Sequence, residues 1–478
     1  MTQGTASLGT RLVVAVGLVF VAVATFVVYD RLLREAPAPV FESDEEHFLY
    51  GSIGNESTDG IPYWVWLVLP RVFPDLLPGP GGYSTLGLLS KDGNDLPLGF
   101  SKVTIGYPRV AMNCAFCHVG SVRAEPGDLP TIVPGAPAHQ VAAQRYTRFL
   151  MAAASDGRFT AANILGEINR NYRLSAVDRL LYRFIIIPET RARLLRLKEQ
   201  TAWMDGRPDW GHGRADVLNP MRFHRLGRPV DSAIGTADMM PLWDMADREA
   251  QGLFWNGSQG TLMDAVVTSA IAAGTSRTWL DADTSKWEEA DLLRVLRYVA
   301  DLNAPAYPFA IDKALAAAGQ PVFAAECAQC HATDTAASPR AVDTDRDRLA
   351  AWTADASAAL DAFGARRDWK PAPFESGDHY AAVPLGGVWM RAPYLHNGSV
   401  PSLAALLEPP VTRPARFWRG YDVYDPDSVG FVSDGSEARR LGSLYDTSQA
   451  GNTNVGHNYG TSLSAEARRA LLEYLKTL

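Results

Sequence analysis

Cysteine is scarce in this chain, with four residues among 478. All four lie in two short motifs, so none remains for a structural disulfide. The chain also lacks a basic excess, because 45 lysines and arginines face 53 aspartates and glutamates and the net charge is −8 at pH 7. This balance gives no support to nucleic-acid binding. The length suffices for two or three domains with sizeable cores.

The two cysteine motifs are Cys114–His118 (CAFCH) and Cys327–His331 (CAQCH). Two thiols three positions apart can form thioethers to the vinyl groups of a haem, and the imidazole that follows can then bind the iron. Zinc binding or thiol redox chemistry is the alternative for a single motif. Two copies that use every cysteine favour two covalently bound c-type haems. The predicted attachment and iron-binding residues are Cys114, Cys117, His118, Cys327, Cys330 and His331.

Near the N-terminus, Leu12–Tyr29 is an uncharged and almost wholly apolar run of 18 residues. That is the lower limit for a helix that spans a bilayer. A cleaved signal peptide is the alternative, but the small-residue site Ala36–Ala38 is followed by Pro39, which is unfavourable for cleavage. We therefore predict an uncleaved anchor in the cytoplasmic (inner) membrane. Because c-type haem is attached outside that membrane, the bulk of the chain is predicted to be periplasmic.

The predicted fold is mainly α, with an N-terminal transmembrane helix and two cytochrome c-like haem domains joined by long loops. Leu292–Leu302 and Leu471–Leu478 are amphipathic and align with each other, as expected for the closing helix of each domain. The predicted divisions are a cytoplasmic stub (1–10), the anchor (11–30), a linker and N-terminal extension (31–84), the first haem domain (85–305) and the second (306–478).

A second internal repeat distinguishes the two halves. Phe254–Leu262 (FWNGSQGTL) resembles Leu395–Leu403 (LHNGSVPSL), and each follows a Pro-Leu pair, Pro241-Leu242 and Pro384-Leu385. If the two segments hold equivalent places over their haems, a tryptophan in the first half corresponds to a histidine in the second.

That difference has a chemical consequence. Iron with histidine on both faces is coordinatively saturated and suits electron transfer, so His396 is predicted as the second ligand opposite His331. Indole nitrogen has no lone pair to offer a metal. The His118 haem is therefore predicted to keep an open position near Trp255, where O2 or H2O2 can bind.

Alternatives remain open at each position. Met390 is a second candidate for the sixth ligand, Trp255 could simply pack on the porphyrin, and Trp243 with Trp255 could carry electrons between the haems. His139, His212 or His224 could occupy the open face of the first haem, although no spacing rule selects one. The histidines expected to be structural or exposed are these three together with His47, His379 and His457.

The segment 167–198 is locally basic, with eight arginines and lysines against three acidic residues. In an acidic protein such a bias suits docking to an acidic redox partner or to an anionic membrane surface. Solvated helix faces are the simpler explanation.

Several motifs resemble the bacterial dihaem cytochrome c peroxidase and MauG superfamily, and most closely its dihaem rubber oxygenase branch. The likeness runs from about residue 85 to the end, and its most specific part is Arg391–Leu403 (RAPYLHNGSVPSL); the other carrying segments are Asn113–His118, Trp210–Pro220, Pro241–Trp243, Phe254–Gly257 and Gly456–Gly460.

The resemblance implies a dioxygen site at the N-terminal haem and two histidine ligands on the C-terminal haem, with His396 at the motif position. It also implies a tryptophan near the active haem, matched by Trp243 or Trp255. Superfamily members often hold calcium between domains, although no EF-hand-like acidic loop supports calcium here.

Three hypotheses follow for function. The first is a dihaem oxidoreductase that acts on O2 or H2O2 and exchanges electrons with a cytochrome or a quinol-linked pool. The second is a membrane-tethered electron carrier without catalysis. The third is a protein-modifying oxidase, whose branch uses a tyrosine ligand that no segment here places.

Overall fold

A computed structural model describes residues 8–283, 291–331, 342–374 and 377–478. Most regular structure is helical, as predicted. The first eleven helices are α1 (Leu8–Val28), α2 (Asp44–Tyr50), α3 (Tyr63–Val72), α4 (Ala143–Ser155), α5 (Ala161–Asn171), α6 (Ala176–Leu181), α7 (Ile187–Gln200), α8 (Leu218–Pro220), α9 (Leu262–Ala272), α10 (Arg277–Asp283) and α11 (Asp291–Ala300). The others are α12 (Lys313–Glu326), α13 (Ala328–His331), α14 (Asp347–Ala350), α15 (Ala354–Phe363), α16 (Leu403–Leu406), α17 (Ser436–Leu441) and α18 (Ala465–Leu475).

The strands are short and pair locally and antiparallel. They are β1 (Ile61–Pro62), β2 (Phe100–Ile105), β3 (Tyr107–Met112), β4 (Val119–Val122), β5 (Thr131–Pro134), β6 (Arg214–Ala215), β7 (Ala237–Asp238), β8 (Arg416–Arg419), β9 (Tyr424–Asp425), β10 (Gly430–Phe431) and β11 (Ser443–Asp446). The largest sheet has three strands in the order β1-β3-β2.

Helix α1 is fully exposed and continues through a π-helical turn, Tyr29–Leu33. The combined helix of 26 residues has a mean hydropathy of 2.8 and could cross a membrane by length and composition. A signal sequence would satisfy the same test. The N-terminal apolar helix therefore suits either a membrane anchor or a signal sequence.

In the second half, the helix that precedes the cysteine motif packs against the closing helix. Helix α12 crosses α18 so closely that a Cβ on Gly319 would overlap the Ala470 carbonyl group. One turn further along, the rings of Phe323 and Tyr474 lie 5.2 Å apart. This is the packing predicted for the C-terminal closing helix.

The first half repeats this packing with a helix that lies far from its motif in sequence. Helix α2 packs against α11, and the rings of Phe48 and Tyr298 lie 4.8 Å apart. This ring pair resembles that of Phe323 and Tyr474 in the other half. Chain 51–113 forms an insertion between α2 and Cys114. The Asn113 side-chain amide closes this insertion by donating to the Gly51 carbonyl at 2.9 Å.

The predicted linker and extension over 31–84 contains α2 and α3. Ser43 caps α2 by accepting from the Glu46 amide, and acidic residues in the first turn favour a helix start there. The buried apolar residues Phe48, Leu49 and Tyr50 of α2 belong to the hydrophobic core of the first half. The apolar residues of α3 are buried in that core as well.

The two cores cross the predicted boundary at 305/306. Trp352, Leu360 and Phe374 come from the second half but pack in the core of the first. Trp243 comes from the first half but packs in the core of the second. Each half therefore contributes side chains to the hydrophobic core of the other, in addition to the chain connection between them.

The close crossing of α12 and α18 predicts the effect of a single methyl group. Gly319→Ala should destabilise the folded protein by about 1–3 kcal/mol, because the new Cβ has no room. Gly166→Ala in α5 is the matched control, since nothing lies within 4 Å of its Cβ position and alanine favours a helix by up to about 1 kcal/mol. Thermal unfolding followed by circular dichroism measures both; equal midpoints for the two variants would contradict the close packing.

Candidate functional site

Both motif histidines are oriented by the same backbone interaction. The His118 Nδ1–H donates to the Met240 carbonyl at 2.8 Å, and the His331 Nδ1–H donates to the Val383 carbonyl at 2.7 Å. Each acceptor is the residue directly before a Pro-Leu pair of the repeat. The hydrogen bonds leave Nε2 of both rings as the free nitrogen, and this second-shell arrangement is typical of metal-binding histidine.

Burial keeps both imidazoles in the form that binds a metal. It lowers the pKa of His118 to about 4 and also lowers the pKa of His331. The rings are therefore neutral at pH 7, with a lone pair on Nε2. The Cys114 and Cys117 side chains are half-buried, and desolvation raises the pKa values of their thiols to about 11 and 12.

The equivalence of the halves extends beyond the histidines. Four residues after Met240, the Asp244 amide donates to Leu302 O at 2.9 Å; four residues after Val383, the Gly387 amide donates to Leu478 O at 3.0 Å. Asp244 and Gly387 both adopt a left-handed conformation. The two acceptors end the closing segments, so each proximal histidine is tied through one loop to its own closing segment.

The asparagine-glycine-serine segments also share one backbone shape. Phe254 and Leu395 have φ values of 63° and 70°, which non-glycine residues rarely adopt. Each segment is closed by an isolated bridge, Leu253–Gln259 or Tyr394–Val400. A hydroxyl cap follows in both copies and begins α9 or α16. Trp255 and His396 therefore occupy equivalent backbone positions, as the repeat predicts.

Within the described residues, the ring of His396 contacts that of Tyr380, with centroids 3.8 Å apart, and no ring contact joins it to His331. Its buried Nε2 has no hydrogen-bond partner in that part of the chain. The residue lies at the centre of a network, because its carbonyl accepts from the Asp238 amide at 2.8 Å and the Asp238 carbonyl accepts from Trp255 Nε1–H at 3.0 Å. The alternative ligand Met390 is fully buried in the second core, against Gly120.

His331 makes a ring contact with His457, with centroids 6.3 Å apart and ring planes inclined by 43°. Two imidazoles bound through Nε2 on opposite faces of one metal, with bonds of about 2 Å, have ring centres about 6 Å apart. Burial lowers the pKa of His457 to about 4, so this ring is neutral too. His457, expected from the sequence to be structural or exposed, thus lies beside the histidine of the second cysteine motif.

Arg413 holds the loop that carries His457. Its buried guanidinium donates to the carbonyl groups of Asn454 and Gly456 at 2.7 and 2.8 Å, and to that of His457 at 3.0 Å. His457 itself has a φ of 47°. Three hydrogen bonds from one rigid side chain fix this strained backbone, and with it the direction of the imidazole.

Trp243 connects the segments that orient the two motif histidines. Its side chain is 1% exposed, and its Nε1–H donates to the Gly386 carbonyl at 2.7 Å. Trp243 lies three residues after Met240, and Gly386 lies three residues after Val383. The indole thus bridges the two Pro-Leu loops, whereas Trp255 contacts the His396 network.

Two arginines fit the acidic groups of a haem. Arg248 and Arg391 each lie seven residues after the proline of a Pro-Leu pair; Arg248 is buried and Arg391 is half-buried. Among the described residues, Arg248 Nε, one of its terminal nitrogens and Arg391 Nε are buried without a hydrogen-bond partner. Burial lowers the pKa values of Arg248 and Arg391 to about 10 and 9. Unpaired buried guanidinium donors are suited to the carboxylates of haem propionates.

Two of the other histidine candidates have a ring or hydroxyl partner in the structure. His139 stacks on Phe431 at 3.7 Å, and His212 Nδ1 contacts the Ser443 hydroxyl at 2.7 Å. Among the described residues, no group of three or more histidine, cysteine or acidic side chains is arranged to hold a metal ion. Calcium therefore stays an expectation from the resemblance alone.

His457, Arg248 and Arg391 were missed from the sequence for different reasons. The arginines share one offset from the Pro-Leu pairs, so extending that repeat without gaps would have found both. His457 has no counterpart in the first half and no spacing rule, and only the Gly-His pair before the last helix signals it.

Comparison with known proteins supports a c-type cytochrome. Residues 379–419, which contain His396 and its loop, match the family described as RoxA-like, cytochrome c-like. A cytochrome c-like region of this kind implies c-type haem with iron, and an oxidoreductase role agrees with it.

Two relatives come from Sinorhizobium fredii (strain NBRC 101917 / NGR234). Uncharacterized protein y4iJ is 43% identical over 108 residues, which cover 21% of this chain and 18% of that protein. Uncharacterized protein y4iM is 32% identical over 242 residues, which cover 41% of this chain and 56% of that protein. The chain thus spans about a fifth and about half of the lengths of these relatives.

Proposed function

We propose that this protein is a membrane-anchored, periplasmic dihaem c-type cytochrome oxidoreductase of the dihaem peroxidase and MauG superfamily. O2 or H2O2 is its oxidant, at the His118 haem. Electrons reach that haem through a second haem held by two histidines, and they come from a cytochrome or a quinol-linked pool.

One observation carries the proposal: the motif histidines are held alike, but only one of them faces a second histidine. His331 has the His457 ring at 6.3 Å. In the described part of the chain, His118 has no comparable ring contact. We therefore assign His331 and His457, rather than His396, as the ligands of the electron-transfer haem. His118 is the proximal ligand of the reactive haem.

The bound haems supply the redox chemistry and the site where a small oxidant binds. The protein positions them. The carbonyl groups of Met240 and Val383 fix the tautomer and direction of His118 and His331, while Arg413 fixes the loop of His457. Arg248 and Arg391 neutralise carboxylates that would otherwise be buried without partners.

Trp243 provides a connection between the two motif histidines that consists of three hydrogen bonds and two short backbone segments. It leads from His118 through Met240 to Trp243, across the indole hydrogen bond to Gly386, and through Val383 to His331. We propose that electrons pass between the haems along this connection. Trp255, which the sequence analysis also selected, is instead proposed to orient the His396 network.

Carbon monoxide titration of the reduced protein tests the ligand assignment, because CO binds only where the iron has an open position. The full-length protein should bind one CO per chain. His457→Ala should bind two, since it opens the second haem. His396→Ala is the matched control and should still bind one.

Other stoichiometries would contradict the assignment. No CO binding by the unaltered protein would mean two saturated haems and would favour the electron carrier without catalysis. A second CO in His396→Ala but not in His457→Ala would restore His396 as the ligand. The Soret band of the first haem reports that each variant has folded.

Trp243→Phe should slow electron transfer between the haems several-fold without changing the absorption spectrum of either, because it removes the indole hydrogen bond but keeps the ring volume. The rate is measured after flash photolysis of CO from the half-reduced protein. Trp389→Phe is the matched control, since Trp389 lies buried in the same core and also donates to a carbonyl group, that of Pro305. Equal rates in both variants would exclude the Trp243 connection.

A further inference from the structure

The helix formed by α6, the π-helical turn Tyr182–Ile186 and α7 has apolar side chains on two sides. One side, which includes Tyr182, Ile186 and Leu194, packs in the first core. The other side is exposed: Val177 is 42% accessible, Leu180 58%, Phe184 67% and Ile185 46%. We call these four residues the anchor-side patch. Val177, Leu180 and Phe184 follow helical spacing and therefore share one face.

The patch adjoins the end of the N-terminal apolar helix. Arg31 in the last turn of that helix pairs with Asp178 at 3.3 Å, directly beside Val177. Asp30, Arg31 and Arg34 are the first charged residues after the apolar run, and they form ion pairs with one another. If the apolar helix spans a bilayer, these charges mark its headgroup level.

The β2–β3 hairpin fixes the patch relative to the apolar helix. The Gly106 amide donates to the Arg34 carbonyl at 2.7 Å, and the Ala36 amide donates to the Thr104 carbonyl at 2.9 Å. Gly106 has no room for a Cβ, because the Leu32 backbone lies against it. Tyr107 at the same hairpin tip contacts the ring of Tyr182, with centroids 6.4 Å apart. The helix end, the hairpin and the patch thus form one connected unit.

Two arginines beside the patch carry positive charge in a protein whose net charge is −8, while the neighbouring carboxylates Asp30 and Asp178 are paired with Arg31. Arg179 and Arg183 are exposed, and within the described residues neither forms an ion pair. The Arg183 guanidinium lies 5.6 Å from the Phe184 ring centre, so a cation and an apolar ring are presented together. Exposed apolar side chains flanked by arginine are typical of elements that lie in the interface of an anionic bilayer.

We propose that the anchor-side patch inserts into the headgroup and acyl-chain boundary of an anionic phospholipid bilayer, beside the membrane-spanning helix. This inference rests on the proposed membrane anchor. It gives the protein a second membrane contact, and it fixes which side of the haem-binding region faces the lipid. The basic bias of segment 167–198 is then a property of a membrane-facing helix.

Single-site labelling of the full-length haem-loaded protein tests the proposal. Phe184→Cys introduces one free thiol, because the native cysteines are consumed in thioethers to haem, and it is labelled with an environment-sensitive fluorophore. The protein is reconstituted in vesicles of phosphatidylcholine and phosphatidylglycerol. Lipids with a nitroxide on the acyl chain should quench most of the emission, and iodide in the water should have little effect.

Two further labels make the outcome unambiguous. Val411→Cys, at a side chain that is 93% exposed and outside the patch, should be quenched by iodide and not by lipid nitroxide. Leu18→Cys lies within the apolar helix and reports whether the anchor is inserted. A label at 184 that behaves like the one at 411, while the label at 18 is in lipid, overturns the patch proposal alone and leaves this face to a soluble partner. Loss of residue 18 by cleavage overturns the anchor and the patch together but not the haem assignment.

A second experiment tests whether the arginine charges contribute to insertion of the patch. Arg179→Glu with Arg183→Glu should reduce lipid quenching at position 184 in these vesicles while quenching at position 18 is retained. When both arginines are retained, lipid quenching at position 184 should fall in the same way in vesicles of phosphatidylcholine alone. Quenching that is independent of both changes would contradict the role of anionic lipid.

Discussion

The hydrogen bond from each motif histidine to a backbone carbonyl is the interaction on which the rest of the site depends. A histidine bound to a thioether-linked haem can rotate about its side-chain bonds unless Nδ1 is held. Met240 and Val383 hold it in the two halves, and each lies at the start of a loop that also contacts a closing segment. The geometry of the metal ligand is thereby coupled to the packing of the helices around it.

In the proposed assignment, the same scaffold supports two different distal faces. The two motif histidines are held by equivalent hydrogen bonds, so the proposed difference in reactivity comes from the groups opposite them. The His457 ring, which contacts that of His331, lies on a loop that Arg413 restrains. The equivalent positions of Trp255 and His396 do not create this difference directly, since both join one network through Asp238. Trp243 instead links the two proximal loops.

The sequence was informative where a feature is local or repeated. The cysteine motifs, the apolar N-terminal helix and the closing helices follow from spacing and periodicity, and the structure shows the predicted packing of α12 on α18. Helix α2 lies within the predicted linker and extension, and its packing on α11 joins segments that are distant in sequence. His457 was undervalued because its partner is distant in sequence and the more conspicuous His396 lies in a motif. The packing of α2 and the position of His457 both depend on contacts between distant segments, which the hydrophobic periodicity of a sequence does not reveal.

Electron paramagnetic resonance of the oxidised full-length protein tests the central claim most directly, since it reports the coordination of each ferric haem separately. We predict one low-spin signal with the character of two imidazole ligands, unchanged by added cyanide, from the His331 haem. We predict a second signal, from the His118 haem, that cyanide converts. Two low-spin signals that both resist cyanide would contradict the account, because both haems would then be saturated.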